Sequence, residues 1–182
     1  MARLPAMNRD SFPEELRYAW DRIAGSGSPP NIFATLGNNP NVLLGYLRLG
    51  NALWNHCGLD VRTREMVILR CAYLQNSAYE WHQHVRIGRD AGLDNATINA
   101  IRRWRDHPSF SESEQALFAW ADGLAASDHP GDAAFDALSK HFDPSAVAGI
   151  TVLISYYFAT AKFLASMEVA TEDAFVGWSL PA

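Results

Sequence analysis

The sequence predicts an all-α domain, and three observations carry that prediction. Capping residues recur along the chain, each just ahead of a stretch whose apolar positions repeat every three to four residues. No segment alternates apolar and polar residues over the length of a strand. The chain has 182 residues, 48% of them hydrophobic and 19% charged, which suits one domain with a real core and excludes global disorder. The expected organisation is a single domain over residues 1–182, with a core motif at 59–93, a flexible break at 25–30 and an irregular tail at 171–182.

Each element has its own signal. Ser11 with Glu14 reads as a capping box that opens a helix to Ala24. Gly25–Pro30 breaks it, and a short turn of helix follows at Ile32–Leu36. Asn39-Pro40 supplies a cap and a first helical residue for a helix ending near Gly58. Asp60 caps a helix from Val61 to about Gln75. Ser77 with Glu80 is a second capping box, for a helix to Ala91, and Gly92 supplies a left-handed stop. Asp94 caps Asn95–Trp104, and Arg105–Phe110 reads as a loop. Ser111 with Glu114 is a third capping box, for a helix to Ala126, after which Asp128–Gly131 turns. A short helix over Ala133–His141 precedes a long one from Asp143-Pro144 to about Val169. That last helix is apolar on more than one face, so it is expected in the centre of the domain or shared between subunits.

Charge and cysteine usage narrow the function. The formal charge is −5 with no Lys/Arg block, which argues against nucleic-acid binding. Two cysteines, Cys57 and Cys71, make neither a disulfide framework nor a zinc knuckle, and fit a reducing, cytoplasmic setting. The first twenty residues lack the apolar core of a secretory signal. The uncharged stretch Ser145–Ala161 carries Thr151, Ser155, Tyr156, Tyr157 and Thr160, too polar for a membrane span.

The candidate chemistry lies in Leu59–Leu93. Glu80 and His84 are four apart, so they share a helix face at about 6 Å. Ser77 continues that face to the helix start, where free N–H groups and the dipole favour an anion. Glu65, on the preceding helix, is the second carboxylate in reach. Each has a plainer reading: Glu80 as the other half of Ser77's capping box, His84 as a core histidine, and Glu65 paired with Arg62 or Arg64 on a solvated face. His82 and His84 point roughly 200° apart and cannot share a metal, and no full ligand set is evident. Cys71 reads as core, and Trp81 as packing or a pocket wall.

The run REMVILR at Arg64–Arg70, YEWHQH at Tyr79–His84 and AGL at Ala91–Leu93, with a looser NNP at Asn38–Pro40, resembles the carboxymuconolactone decarboxylase family, which includes the AhpD-like proteins. The peroxidase branch has Cys-x-x-Cys where this chain has Ser77 and Glu80, so the resemblance implies the decarboxylase-type branch and disfavours an alkylhydroperoxidase. It implies a cofactor-independent lyase that removes carbon dioxide from a small lactone or cyclic keto acid in aromatic catabolism. His84 would be the proton donor and acceptor, with Glu65 and Glu80 orienting it or exchanging protons with it. Ser77, Tyr79 and Trp81 would contact substrate, and Arg70 and Arg86 are candidates to bind its carboxylates. The resemblance further implies a homo-oligomer, a trimer or hexamer, with the site near a subunit interface. It implies an anionic small-molecule substrate, and neither cofactor, metal, nucleic acid nor membrane as partner. A non-catalytic helical oligomer is the remaining alternative.

Overall fold

The computed structural model describes residues 2–25, 27–127 and 129–172, and among these it contains helices and no strand. In chain order they are α1 (Arg17–Ala24), α2 (Asn31–Leu36), α3 (Pro40–His56), α4 (Val61–Leu74), α5 (Ala78–Asp90), α6 (Asn95–Ala100), α7 (Glu112–Ala126), α8 (Asp132–Ser139) and α9 (Pro144–Ser166). Short 3-10 segments lie at Arg9–Ser11, Glu14–Leu16 and Ile101–Asp106.

Most of the capping signals operate as read. Asn39, Asp60, Asp94 and Asp143 each accept the backbone N–H three residues on, and Ser111 with Glu114 forms both halves of a capping box. Gly92 has φ +90°, the left-handed stop after α5. The first helix is a correction. Asn8, not Ser11, caps the chain there, the Ser11 hydroxyl is bonded to Asn8, and α1 begins only at Arg17. Pro13 disfavours the helical conformation at Phe12, which is extended (φ −85°, ψ 142°), so two 3-10 turns flank this break in place of a helix from Ser11. The segment after Asp94 is a second correction, since α6 ends at Ala100 and a 3-10 turn kinked at Arg103 carries the chain to Asp106. The last helix ends at Ser166, earlier than its apolar pattern predicts. The expected break at 25–30 and turn at 128–131 each include one residue outside the described set, and the expected tail lies outside it from residue 173.

α4 is the central helix. Every residue from Arg64 to Ala72 is buried, which a helix achieves only when it is covered on all sides. α5, α7 and α9 pack around it. On one side Val67, Ile68 and Cys71 meet Leu117, Ala121, Ile150 and Leu153. On the other, Met66 and Leu69 meet Trp81, Val85, Ile98 and Phe118. Each fully buried side chain of this size contributes about 1.5–3 kcal/mol. α9 buries one face on α3, α4, α5 and α8 and leaves the other exposed. It alone among the described helices is long and apolar enough to cross a membrane, with mean hydropathy 1.5, yet 39% of that window is buried in the bundle.

Two close approaches shape the site. Gly88 on α5 faces α4, where a Cβ would meet Leu93 Cδ1 at 3.0 Å and Glu65 Cβ at 3.8 Å. Gly50 on α3 leaves room for the Tyr156 hydroxyl, which a Cβ would meet at 2.7 Å. The first brings Glu65 within reach of α5, and the second lets α9 enter the cavity wall.

Candidate active site

α4 and α5 are joined by Gln75, Asn76 and Ser77, a tight reversal in which Asn76 takes a positive φ of 49°. The reversal lays the first turns of α5 against the middle of α4. Ser77 caps α5 by accepting the Glu80 N–H at 3.4 Å. The reciprocal half of that capping box does not form, because the Glu80 carboxylate turns instead toward His84. Sequence spacing had left Glu80 open between cap and site, and the geometry separates the two roles: Ser77 caps, and Glu80 faces the histidine.

The result is a row of four charged groups. Arg64 donates through Nε and Nη2 to Glu65 Oε1 at 3.1 and 3.0 Å. His84 Nδ1 bonds Glu65 Oε2 at 2.6 Å. His84 Nε2 faces Glu80 Oε2 at 3.4 Å. All four are buried, with Glu65 fully so. Burial opposes the charged imidazolium, but the charge and hydrogen bond of Glu65, with those of Glu80, outweigh it and push His84 up to about 9. Burial also opposes ionisation of Glu65, and the charge of His84 outweighs that too, holding Glu65 below the usual carboxylate range. The plainer reading of Glu65 is therefore half right. It pairs with Arg64, but inside the protein, while Arg62 pairs with Glu114.

The row ends on a cavity of about 780 Å³. Glu80 and His84 line it, and Glu65 stands behind His84. α3 presents one face to it, with Leu44, Leu47, Asn51 and Trp54 at helical spacing. α9 contributes Tyr156 and Tyr157. The Tyr157 ring meets His84 edge-on at 5.1 Å, and its hydroxyl accepts from Trp54 Nε1 at 2.9 Å. Burial, with the charge of Glu80, raises Tyr157 well above the ordinary tyrosine range and Tyr46 to about 12, so both keep their protons. Tyr79 lines the cavity, where its hydroxyl donates to Glu172 at 2.6 Å and accepts from the Ile32 N–H. Gln83 also donates to Glu172, which ties the stretch after α9 to the cavity wall.

Other expected contacts lie elsewhere. Trp81 is fully buried among Met66, Leu69, Val85 and Ile98, on the face of α5 away from the cavity. Arg70 is held by Asp122 at 2.7 Å and by the Ile101 and Arg102 carbonyls, so its guanidinium belongs to the core. Arg86 does line the cavity, and Arg22 and Arg48 join it there. Cys57 and Cys71 are buried in the core beside α9, and burial raises the Cys71 thiol above its ordinary range. Among the described residues no three His, Cys, Asp or Glu side chains are grouped to hold a metal ion. Sequence reasoning missed Trp54, Tyr156 and Tyr157. The available signal was the polar cluster inside the most apolar helix, which marked that helix only as unfit for a membrane.

Comparison with known proteins agrees with this architecture. The sequence pattern of the carboxymuconolactone decarboxylase family matches residues 40–123, which hold α3, α4, α5 and the whole charged row. No curated protein matches the chain. A protein of unknown function from Agrobacterium tumefaciens, linked by name to AhpD and antioxidant defence, superposes with a TM-score of 0.70 at 26% identity, over 75% of this chain and 94% of that one. A peroxidase-related protein with an alkylhydroperoxidase AhpD core, from Ralstonia eutropha, superposes with a TM-score of 0.82 at 19% identity, over 94% and 93%. The debrominase Bmp8 in complex with 2,3,4-tribromopyrrole superposes with a TM-score of 0.78 at 17% identity, over 94% and 92%. The family's pattern thus matches a segment centred on the charged row, and the helices take the arrangement seen in these AhpD-like structures.

Proposed function

We propose that the protein is a cofactor-independent acid–base enzyme of the decarboxylase type, a carboxy-lyase acting on a lactone or cyclic keto acid. The observation that carries this reading is His84, buried between Glu65 and Glu80 at the cavity wall and raised to about 9. At neutral pH such a histidine is an imidazolium. Glu65 holds the Nδ1 proton and leaves the Nε2 proton facing Glu80 and the cavity. When the bond to the departing carboxylate breaks, carbon dioxide leaves and its electron pair moves into the conjugated carbonyl as an enolate. The Nε2 proton then passes to carbon, and neutral His84 regains a proton from water by way of Glu80. The Tyr157 hydroxyl already accepts from Trp54, so its own proton is free to donate to the enolate oxygen.

A thiol peroxidase reading takes support only from the names of fold relatives. Here Ser77 and Glu80 stand at the start of α5, and both cysteines are core residues. Turnover of lactone and keto acids in D2O tests the proposal, with one deuterium expected at the carbon that lost carbon dioxide. His84→Asn should slow that turnover about 10²–10⁴-fold. Unchanged turnover in the variant, or reductant-driven peroxide turnover that vanishes in Cys71→Ser, would overturn the reading.

We also infer a homo-oligomer built on α9. Its outward positions Ala148, Val152, Ser155 and Ala159 repeat at three and four residues and stay exposed. Light scattering at micromolar concentration should show more than one subunit, and a stable monomer would contradict this.

A further inference from the structure

The cavity has room for more than one ring, and its walls are rich in aromatic side chains. At about 780 Å³ it holds about 25 water molecules at ~30 Å³ each. Those walls are flat: Tyr46 stacks on Tyr156 at 4.6 Å, and Trp54, still 37% exposed, lies 6.3 Å from the His84 ring. Flat walls of this kind favour a flat ring ligand by stacking and edge contacts.

Charge orients that ligand. Three exposed arginines, Arg22 on α1, Arg48 on α3 and Arg86 on α5, line the cavity, and none has an acidic partner among the described residues. The inner wall carries Glu80 and His84. An acidic chain of net charge −5 thus has a cationic entrance to an aromatic chamber. We propose that the cavity takes an acid of two fused or linked rings, its ring system against Tyr46, Trp54 and Tyr156 and an acidic group at Arg22, Arg48 and Arg86. This deepens the acid–base reading and rests on it for the fate of the ligand. The ligand class itself rests on cavity size, wall chemistry and mouth charge.

Calorimetry on the full chain with three probes tests it: 2-naphthoate, benzoate and naphthalene-2-carboxamide. Naphthoate should bind about tenfold or more tightly than benzoate, which lacks the second ring, and than the carboxamide, which lacks the charge. Replacing all three arginines (Arg22→Gln, Arg48→Gln, Arg86→Gln) should remove the preference for naphthoate over the carboxamide and leave carboxamide affinity unchanged. Equal affinity for benzoate and naphthoate overturns the proposal, as does a preference for acid that survives in the triple variant, or no binding by any probe. The outcome is separable from the catalytic reading. Naphthoate selectivity with an ordinary His84 pKa sinks the acid–base mechanism and leaves the ligand class standing. A raised His84 pKa with no ring selectivity does the reverse.

Discussion

α4 carries two buried ion clusters little more than one turn apart, and they end differently. At its C-terminal half Arg70 meets Asp122, whose second oxygen takes the Trp104 indole N–H at 3.1 Å and Arg105 at 2.7 Å. The remaining Arg70 donors reach two backbone carbonyls, so that cluster closes on itself, with exposed Arg105 covering it at the surface. At the N-terminal half Arg64 and Glu65 begin a similar set of bonds, but the row runs on through His84 to Glu80 and stops at the cavity. A closed cluster holds helices together. A row whose last proton faces an open cavity can exchange that proton with a ligand. The contrast assigns architecture to Arg70, which sequence proximity alone made a candidate, and supports the role proposed for His84, which helical spacing and the family resemblance had singled out.

The largest expected effect separates the two clusters by stability. Asp122→Ala leaves the buried Arg70 guanidinium without its carboxylate and should cost about 3–5 kcal/mol in urea unfolding. The same variant should leave the His84 titration where it is in the wild type. A loss below about 1 kcal/mol, or a displaced His84 titration, would dissolve the distinction.

A second test uses pH. His84 is raised from 6.5 to about 9, so its contribution to stability is complete below pH 6.5 and is lost as pH rises through about 9. Glu65 is lowered from 4.5, so its contribution is present above pH 4.5 and is lost as pH falls through its folded value. Stability from the row should therefore peak between these limits and decline toward pH 9. In Glu65→Gln that alkaline decline should flatten. An equally steep decline in the variant would place its origin outside the row.

The smallest expected effect concerns the start of α5. Ser77→Ala removes the cap and should cost about 1 kcal/mol, with His84 still titrating high, because the Glu80 side chain takes no part in the cap. A collapse of the His84 shift in Ser77→Ala would mean that the cap positions the row after all.

Much of this was legible in the sequence because it was local. The caps at Asn39, Asp60, Asp94, Ser111 and Asp143 depend on neighbours within one turn, and they operate as read. The Glu80–His84 face follows from helical spacing, and Glu65 joins it as the family resemblance implied. What was hidden depends on packing between distant segments. Arg70 and Arg86 look alike in sequence, yet only Asp122, 52 residues away, decides that Arg70 is core. Trp54 and Tyr157 meet across 103 residues, so no spacing rule connects them to His84. The N-terminal helix was misread for the opposite reason. A local match at Ser11 and Glu14 ignored Pro13 between them and the competing cap at Asn8.

The central claim is that Glu65 holds His84 as an imidazolium facing the cavity, and imidazole NMR of His84 across pH 5–10 tests it most directly. The wild type should titrate with a pKa of about 9, both ring nitrogens protonated at neutral pH. Glu65→Gln should move that titration down by more than one unit, since the largest upward push is gone. A wild-type His84 that titrates near 6.5, or one whose pKa is the same in Glu65→Gln, would contradict the account.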